Sequence, residues 1–150
     1  MAHQEYHREK YLISTDPTRL DLTAIHAFLT RVYWSEGIPK ESVERAVHNS
    51  LCFGVYETET HKQIGLARLV SDLTTYAYIC DVYILEQYRG QGLGKWLMEC
   101  VKGYPDLQGL RRWSLLTRDA HELYRQFGFV NVAAPERYME ITQPDIYKQP

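Results

Sequence analysis

Residues 89–94, Arg-Gly-Gln-Gly-Leu-Gly, have the composition of a loop that can hold a phosphate group. The loop follows an apolar run that ends at Leu85 and precedes a helical pattern that starts near Gly92. Glycines let the main chain approach an anion closely and adopt positive φ, and the free N–H groups of the following helix point at the same place. The segment therefore predicts a ligand that carries phosphate, although such a cluster is also typical of a plain tight turn.

Two common phosphate-binding loops do not match this segment. A P-loop requires Gly-Lys followed by Ser or Thr, whereas Gly94-Lys95 is followed by Trp96. A dinucleotide-binding loop has its third glycine three residues after the second and an acidic residue about 20 positions later. Here Lys95 occupies the place of that glycine, and the next acidic residue of note is Asp106. Neighbouring motifs must therefore decide what the loop binds.

A second segment, Thr-x-x-Ala-x-x-Leu-Tyr-x-x-x-Gly-Phe, runs from Thr117 to Phe129. Thr117 can cap a helix, and Gly128 is typical of the residue that ends one. Tyr124 lies on the apolar stripe of this helix, which by itself also suits an aromatic side chain in the core.

Length, composition and charge fit one globular domain over residues 1–150, with 45% hydrophobic residues, 24% charged residues and a net charge of −2. This charge gives no reason to expect a nucleic-acid partner. Cys52, Cys80 and Cys100 are odd in number and lie in apolar stretches, which predicts buried thiols in a reducing cytoplasm and no metal site. Neither a signal peptide nor an apolar run of about 18 residues is present, so no membrane partner is expected.

Hydrophobic patterns predict an α/β (α+β) fold with a mixed sheet. Helices are predicted after Asp16-Pro17, after Pro39 and after the glycine loop. The almost wholly apolar run 76–85 predicts a central strand that is covered on both faces. The predicted strands are residues 11–13, 51–57, 63–70, 76–85, 112–116, 129–132 and 137–141.

Taken together, Gln-Tyr-Arg-Gly-Gln-Gly-Leu-Gly-Lys and segment 117–129 resemble the GNAT superfamily of acyl-CoA N-acyltransferases. The first matches that family's Arg/Gln-x-x-Gly-x-Gly/Ala pyrophosphate loop, and the second matches its Ala-x-x-Leu-Tyr-x-x-x-Gly-Phe helix. The resemblance extends from about Leu51 to Phe129. It implies a mixed, mostly antiparallel central sheet that is flanked by helices and splayed between the fourth and fifth strands.

The resemblance also implies how acetyl-CoA would bind as a co-substrate, without a metal ion. The edge of the splayed strand would bind the pantetheine arm through main-chain groups, as another strand would. Loop amides would bind the pyrophosphate, and a main-chain N–H of the strand would polarise the thioester carbonyl. Thr117 stands where many relatives have an asparagine that contacts the cofactor. The implied cofactor-binding residues are Val82, Tyr83, Ile84, Arg89, Gly90, Gln91, Gly92, Leu93, Gly94, Lys95 and Thr117.

Tyr124 is the catalytic residue that the resemblance indicates, because similar enzymes place a tyrosine here to protonate the departing thiolate. A general base is harder to identify. An aliphatic amine with a pKa near ~10.4 is neutral in only about one molecule per thousand at pH 7, so a proton must be removed. Relatives that use a glutamate carry it where this chain has Tyr78 or Cys80, or where it has Arg112.

Asp81 and His121 are the remaining candidates for acid–base chemistry. Asp81 interrupts an apolar strand, so a structural hydrogen bond is the favoured interpretation. His121 lies one helical turn before Tyr124, although a lone histidine on a helix is more often solvated. Strand alternation places Asp81 with Tyr83 on one face, opposite Tyr78, Cys80, Val82 and Ile84.

The predicted function is an N-acetyltransferase in which a primary amine attacks acetyl-CoA directly in a ternary complex. The alternative is a non-catalytic acyl-CoA-binding sensor or interaction module, which the missing glutamates allow. Tyr33 and Trp34, with Glu36 nearby, are candidates for the wall of an acceptor pocket, although core or lid packing explains them equally well. The expected partner is a small-molecule or peptide amine, and a homodimer is compatible with the sequence.

Overall fold

The computed structural model describes residues 2–148, in which a six-stranded sheet is flanked by helices. The strands are β1 (Glu5–Arg8), β2 (Tyr11–Ser14), β3 (Leu51–Glu57), β4 (Gln63–Ser71), β5 (Tyr76–Ile84) and β6 (Arg112–Leu115). The helices are α1 (Leu22–Leu29), α2 (Lys40–His48), α3 (Leu93–Lys102) and α4 (His121–Arg125).

The strands lie in the sheet in chain order, from β1 to β6. Neighbours from β1 to β5 are antiparallel, and β5 and β6, which α3 connects, are parallel. This mixed, mostly antiparallel sheet confirms the predicted fold class. Because the sequence patterns did not predict β1, the predicted fourth and fifth strands correspond to β5 and β6.

The splay between β5 and β6 follows from how little of β5 is paired. The two strands pair only from Tyr76, opposite Arg112, to Ile79, opposite Leu115. Beyond Ile79, β5 continues for five more residues with no strand on that side in the part of the chain that the structure describes. The main-chain groups of this free edge are available to a ligand.

Helices cover both faces of the sheet. On one face, α3 buries an apolar stripe that includes Trp96, Leu97 and Val101 in the larger core cluster. On the other face, α1 and α2 pack over Leu66 and Tyr83 in a second cluster. The central strands are therefore buried on both sides, as the apolar run 76–85 predicted.

A bulge in β5 breaks the predicted alternation of side chains at Tyr78, whereas Val82 and Ile84 lie on the face opposite Tyr83, as predicted. The pairing with β4 shifts between Ala67, opposite Val82, and Leu69, opposite Ile79, so β5 carries an extra residue. Ile79 therefore packs in the same core cluster as Val82 and Ile84. Tyr83 lies in the cluster on the other face.

The first helix begins later than its sequence predicts. Asp16 caps only a single turn of 3₁₀ helix, Pro17–Arg19, by accepting a hydrogen bond from Thr18 N. Asp21 then caps α1 by accepting from Ala24 N at 3.0 Å. Asp16 and Asp21 are therefore both N-caps, and the chain between their two helices is extended at Leu20. The longer helix begins only after the second cap.

The two strands predicted at 129–132 and 137–141 are wrong for the described chain, which has no strand after β6. This part of the chain includes a single 3₁₀ turn, Pro135–Arg137, and exposes several large apolar side chains. A strand requires a neighbouring strand to accept its main-chain hydrogen bonds, and here none lies beside it.

The three cysteines are free thiols. Cys52 and Cys100 are buried, as predicted, whereas Cys80 is only partly buried. Within residues 2–148, no helix has the length and apolar character needed to span a membrane.

Candidate active site

A cleft of about 1100 Å³ opens where β5 and β6 separate. The loop after α1, the free half of β5, the glycine loop and the β6–α4 connection form its walls. The predicted site residues that line it are Asp81, Val82, Tyr83, Ile84, Arg89, Gly90, Gly92, Leu93, Gly94, Thr117 and Tyr124. Three other predicted residues, Gln91, Lys95 and His121, do not line it.

The glycine loop has the geometry of an anion site. Gly90 and Gly92 have φ values of +82° and +79°, which only glycine adopts without strain. Trp96 N donates the first hydrogen bond of α3 to Gly92 O at 3.0 Å, so the three amides before it precede the helical ladder. A Cβ atom on Gly90, Gly92 or Gly94 would meet nothing within 4 Å. The space in front of these amides is therefore open to a phosphate group.

Side chains of the loop hold its backbone in place. Arg89 Nε donates to Ile84 O at 2.8 Å, at the end of β5. Gln91 Nε2 donates to Tyr88 O at 3.0 Å, and Gln91 Oε1 accepts from the Tyr11 hydroxyl at 3.1 Å. These contacts tie the loop to β5 and β2, so its amides are positioned before any ligand binds.

Tyr124 lies in the cleft wall and is buried. Its ring packs edge-to-face on Phe129 with 5.9 Å between centroids. Burial raises the pKa of the Tyr124 phenol, because desolvation disfavours the phenolate. The hydroxyl therefore keeps its proton across the neutral range, as a general acid must.

Asp81 is buried and bound by protein donors on both carboxylate oxygens. Trp34 Nε1 donates to Oδ1 at 2.8 Å, and Arg68 Nε donates to Oδ2 at 2.7 Å. Arg68 is fixed in turn by a 3.0 Å hydrogen bond from its Nη1 to Ser50 Oγ. The structural hydrogen bond that the sequence favoured for Asp81 is present, and a role for Asp81 in proton transfer stays a prediction.

Tyr33 and Trp34 form the wall of the cleft opposite the glycine loop, and both are half-exposed. Their rings meet edge-to-face with 5.2 Å between centroids. The guanidinium of Arg118 lies 3.6 Å from the centroid of the Tyr33 ring. This cation–π contact joins the loop after α1 to the β6–α4 connection, and both residues line the cleft.

Sequence reasoning missed Arg68 and Arg118. A signal for Arg68 existed, because a buried aspartate in an apolar strand requires a cationic or hydrogen-bonding partner. Arg68 lies on the neighbouring strand β4, so it was the basic residue that could have been predicted as the partner of Asp81. Arg118 carries no comparable signal, since its partner Tyr33 is remote in the sequence.

Thr117 and His121 lie on either side of the start of α4. Thr117 Oγ1 accepts from Ala120 N at 3.0 Å, but Ala120 is the N-cap of α4 and makes no side-chain cap bond, so the predicted cap at Thr117 is wrong. His121 is exposed and lines a second groove of about 780 Å³, between β6, α4 and the chain after Phe129. The structure therefore does not bring His121 to the cleft with Asp81.

The positions at which relatives carry a glutamate base differ in placement. Tyr78 and Cys80 line the cleft, whereas Arg112 lines the second groove. Burial raises the pKa of the Cys80 thiol, so this thiol is mostly protonated near neutral pH. Among the described residues, no three His, Cys, Asp or Glu side chains come together where they could hold a metal ion.

Known proteins resemble this chain in sequence and in fold. The family model described as an acetyltransferase (GNAT) domain matches residues 48–131. A candidate acetyltransferase from Gibberella zeae is 35% identical over 81% of this chain and 79% of its own length. The chain belongs to the GNAT acetyltransferase family.

Solved structures agree with this assignment. A candidate GNAT-family acetyltransferase from Xanthomonas campestris pv. campestris is 43% identical, with a TM-score of 0.89, and the match covers 93% of this chain and 97% of that one. A candidate acetyltransferase from Deinococcus radiodurans R1 has a TM-score of 0.71 at 19% identity, over 91% of this chain and 90% of that one. The second likeness shows the shared fold alone.

Proposed function

We propose that this protein is an N-acetyltransferase that transfers the acetyl group of acetyl-CoA to a primary amine by direct attack in a ternary complex. One observation carries the proposal. A single cleft joins an open sheet edge, an unoccluded glycine loop at a helix N-terminus and a buried, protonated tyrosine.

Coenzyme A fits the main chain of this cleft. The amides of residues 90–95 would bind its pyrophosphate, because they are free and the space before them is open. The free edge of β5, at Val82 to Ile84, would bind the pantetheine arm as a neighbouring strand would. When bound, acetyl-CoA supplies an activated acetyl thioester for transfer.

Tyr124 is proposed as the general acid. Its burial keeps the phenol protonated, and it lies on the wall between the cleft and the second groove. A phenol at this place can give its proton to a thiolate as it leaves. The apolar surroundings of Tyr124 strengthen such a hydrogen bond.

The acceptor is proposed to enter on the side of Tyr33 and Trp34. Because the Arg118 guanidinium already lies over the Tyr33 ring, the Trp34 ring is the one proposed to bind the protonated amine before it loses its proton. Because Asp81 is held by Arg68 and Trp34, we propose that the amine proton leaves through water in the open cleft. Asp81 then acts by positioning Trp34.

The proposal is tested by measuring coenzyme A binding calorimetrically and thiol release from acetyl-CoA across a panel of small-molecule and peptide amines. Binding together with amine-dependent thiol release is the expected result. Binding without release for any amine would favour an acyl-CoA sensor. No binding at millimolar coenzyme A would overturn the assignment of the cleft.

A further inference from the structure

Arg118 is the arginine of the cleft whose charge has no partner in the described chain. Of the three arginines that line the cleft, Arg68 donates to Asp81 and Arg89 donates to Ile84 O. No carboxylate among the described residues lies within ion-pair distance of Arg118. Because a guanidinium keeps its positive charge at neutral pH, Arg118 is available to bind an anion from a ligand.

Contacts with aromatic side chains hold the guanidinium of Arg118 in place. Its central carbon lies 3.6 Å from the centroid of the Tyr33 ring. Tyr33 contacts Trp34, whose Nε1 donates to Asp81 at 2.8 Å. A carbon this close to the ring excludes an edge-on approach, because the nitrogens would then lie between the carbon and the ring. Tyr33 therefore covers the face of the guanidinium, and the N–H groups in its plane are free to bind both oxygens of a carboxylate.

The cleft also exposes apolar side chains that come from three parts of the chain. Val70 on β4, Leu116 after β6 and Tyr147 near the end of the described chain line the cleft and are 46%, 79% and 37% exposed. Scattered exposed apolar residues are ordinary, but a set that lines one cleft marks a surface for a ligand. The ligand of this cleft is therefore expected to carry an apolar group as well as an anion.

Two ligands could supply the anion: coenzyme A through its phosphates, or the acceptor through a carboxylate. The placement of Arg118 favours the acceptor, because its ring partner Tyr33 lies on the wall opposite the glycine loop. The charge of the cleft agrees, since three arginines and two aspartates, Asp81 and Asp119, leave a formal charge of +1. One surplus positive charge suits a ligand with a single carboxylate.

We propose that the acceptor is a free amino acid with an apolar side chain, and that Arg118 binds its carboxylate. Its ammonium group lies over the Trp34 ring, and its side chain contacts the exposed apolar residues of the cleft. An amino acid fits because it joins an amine, a carboxylate and a side chain at one carbon. This inference names the acceptor class of the proposed N-acetyltransferase and therefore rests on that function.

The transfer releases two protons from the ammonium group. The first passes to water and leaves a neutral amine, which forms a C–N bond to the acetyl carbon as the C–S bond breaks. Tyr124 gives its proton to the departing thiolate and regains one when the new amide nitrogen loses the second proton through water. The products are an N-acetyl amino acid, whose carboxylate remains on Arg118, the free thiol and one proton in solution.

Calorimetry tests the carboxylate site without turnover. Phenylalanine and phenethylamine share the amine and the aromatic group and differ in the carboxylate, and each is titrated into the protein with coenzyme A present. Phenylalanine should bind about five- to tenfold more tightly, which is the contribution of one charge-assisted pair between arginine and carboxylate. Equal affinity, or no binding of phenylalanine, would overturn the proposal. Serine that bound as tightly as phenylalanine would overturn the apolar part of it.

Variants of Arg118 assign the carboxylate to this residue. Arg118→Gln removes the charge and should reduce the ratio of phenylalanine to phenethylamine affinity to about one. Arg118→Lys keeps the charge without the planar fork and should keep part of the ratio. The matched control is Arg111→Gln, at an exposed arginine that lines neither the cleft nor the second groove, which should keep the wild-type ratio. If Arg118→Gln kept that ratio, or weakened coenzyme A binding instead, Arg118 would not be the carboxylate site.

Thiol release from acetyl-CoA separates this inference from the proposed function. Release with phenylalanine and phenethylamine at equal kcat/KM would overturn the acceptor class and leave acetyl transfer to amines intact. Selective binding of phenylalanine without any release would overturn the proposed function and with it the acceptor role. The affinity ratio would in that case still support a carboxylate site at Arg118.

Discussion

The two walls of the cleft differ in the groups that they present, which are main-chain groups on one wall and side chains on the other. The wall at the glycine loop, here called the glycine-loop wall, presents main-chain groups: helix amides, glycines with positive φ and a free strand edge. The opposite wall, here called the aromatic wall, presents side chains that come together from distant parts of the chain, such as Trp34, Arg68 and Asp81. Substitutions therefore act on the first wall by obstructing its backbone and on the second by breaking side-chain contacts.

Under the proposed function, this difference would separate recognition of the co-substrate from recognition of the acceptor. In the proposed function, main-chain groups would bind the pyrophosphate and the pantetheine arm of coenzyme A, whatever side chains the segment carries. The side chains of the aromatic wall can change without disturbing the main-chain groups of the glycine-loop wall. Variants of the glycine-loop wall should therefore alter KM for acetyl-CoA, and variants of the aromatic wall should alter KM for the acceptor.

Tyr124, between the two walls, should give the largest effect. Tyr124→Phe keeps the ring packing on Phe129 and removes the acid, so kcat should fall about 100-fold or more while KM for both substrates changes little. Because burial raises the pKa of Tyr124 above its usual value, wild-type kcat should show no loss of this acid between about pH 7 and 9.

The control for this variant is Tyr104→Phe, another buried tyrosine that lies outside the cleft. It should keep wild-type kcat. If Tyr124→Phe retained full kcat with a saturating amine, the phenol would not be the acid, and the thiolate would leave without protein assistance.

Asp81→Asn should give the next largest effect, on stability. The change leaves the Arg68 guanidinium without its anion in a mostly buried site, which typically costs about 3 kcal/mol. Urea unfolding followed by circular dichroism measures the loss. Asp106→Asn, at an exposed aspartate, should change the free energy of unfolding by less than about 0.5 kcal/mol.

An Asp81→Asn protein as stable as wild type would show that the ion pair does not hold the aromatic wall together. A more specific test combines Asp81→Asn with Arg68→Met, because the second substitution removes the guanidinium charge that has lost its partner. The double variant should recover part of the lost stability, because no buried charge then lacks a partner.

The contrast between the walls also explains what the sequence could predict. The glycine loop and α3 depend on residues that are neighbours in the chain, so their local pattern was sufficient. The splay was implied by the family resemblance and follows in the structure from the short pairing of β5 with β6.

The remaining features depend on contacts between distant residues. The bulge in β5 arises from its register with β4 and leaves no signal in the sequence pattern, so Tyr78 was assigned wrongly to the face of Val82 and Ile84, which Ile79 shares instead. Arg118 reaches Tyr33 only in the folded chain. The strands predicted after residue 128 failed because a hydrophobic pattern does not say whether a partner strand exists.

Gly94→Ala tests the glycine-loop wall with a smaller expected effect. Gly94 is the second residue of α3, where alanine favours the helix by at most about 1 kcal/mol, and the added methyl group meets no protein atom within 4 Å. Any loss of affinity must therefore come from the ligand. KM for acetyl-CoA should rise roughly tenfold, equivalent to about 1.4 kcal/mol, with no loss of stability.

Gly92→Ala is the informative comparison, because φ of +79° strains any other residue and should lower both stability and affinity. If Gly94→Ala bound coenzyme A as tightly as wild type, the pyrophosphate would not lie against these amides. The anion site would then have to be sought elsewhere along the cleft.

Trp34→Phe should have the smallest effect and should act on the aromatic wall alone. Phenylalanine can keep the ring contact with Tyr33 but loses the hydrogen bond to Asp81, which at this half-exposed site is worth about 1 kcal/mol. KM for the acceptor should therefore rise a few-fold while KM for acetyl-CoA stays unchanged. Trp113→Phe, in the second groove, is the control and should leave acceptor KM as in wild type. A Trp34→Phe enzyme with altered KM for acetyl-CoA only would reverse the assignment of the two walls, because it would place the thioester against the aromatic side.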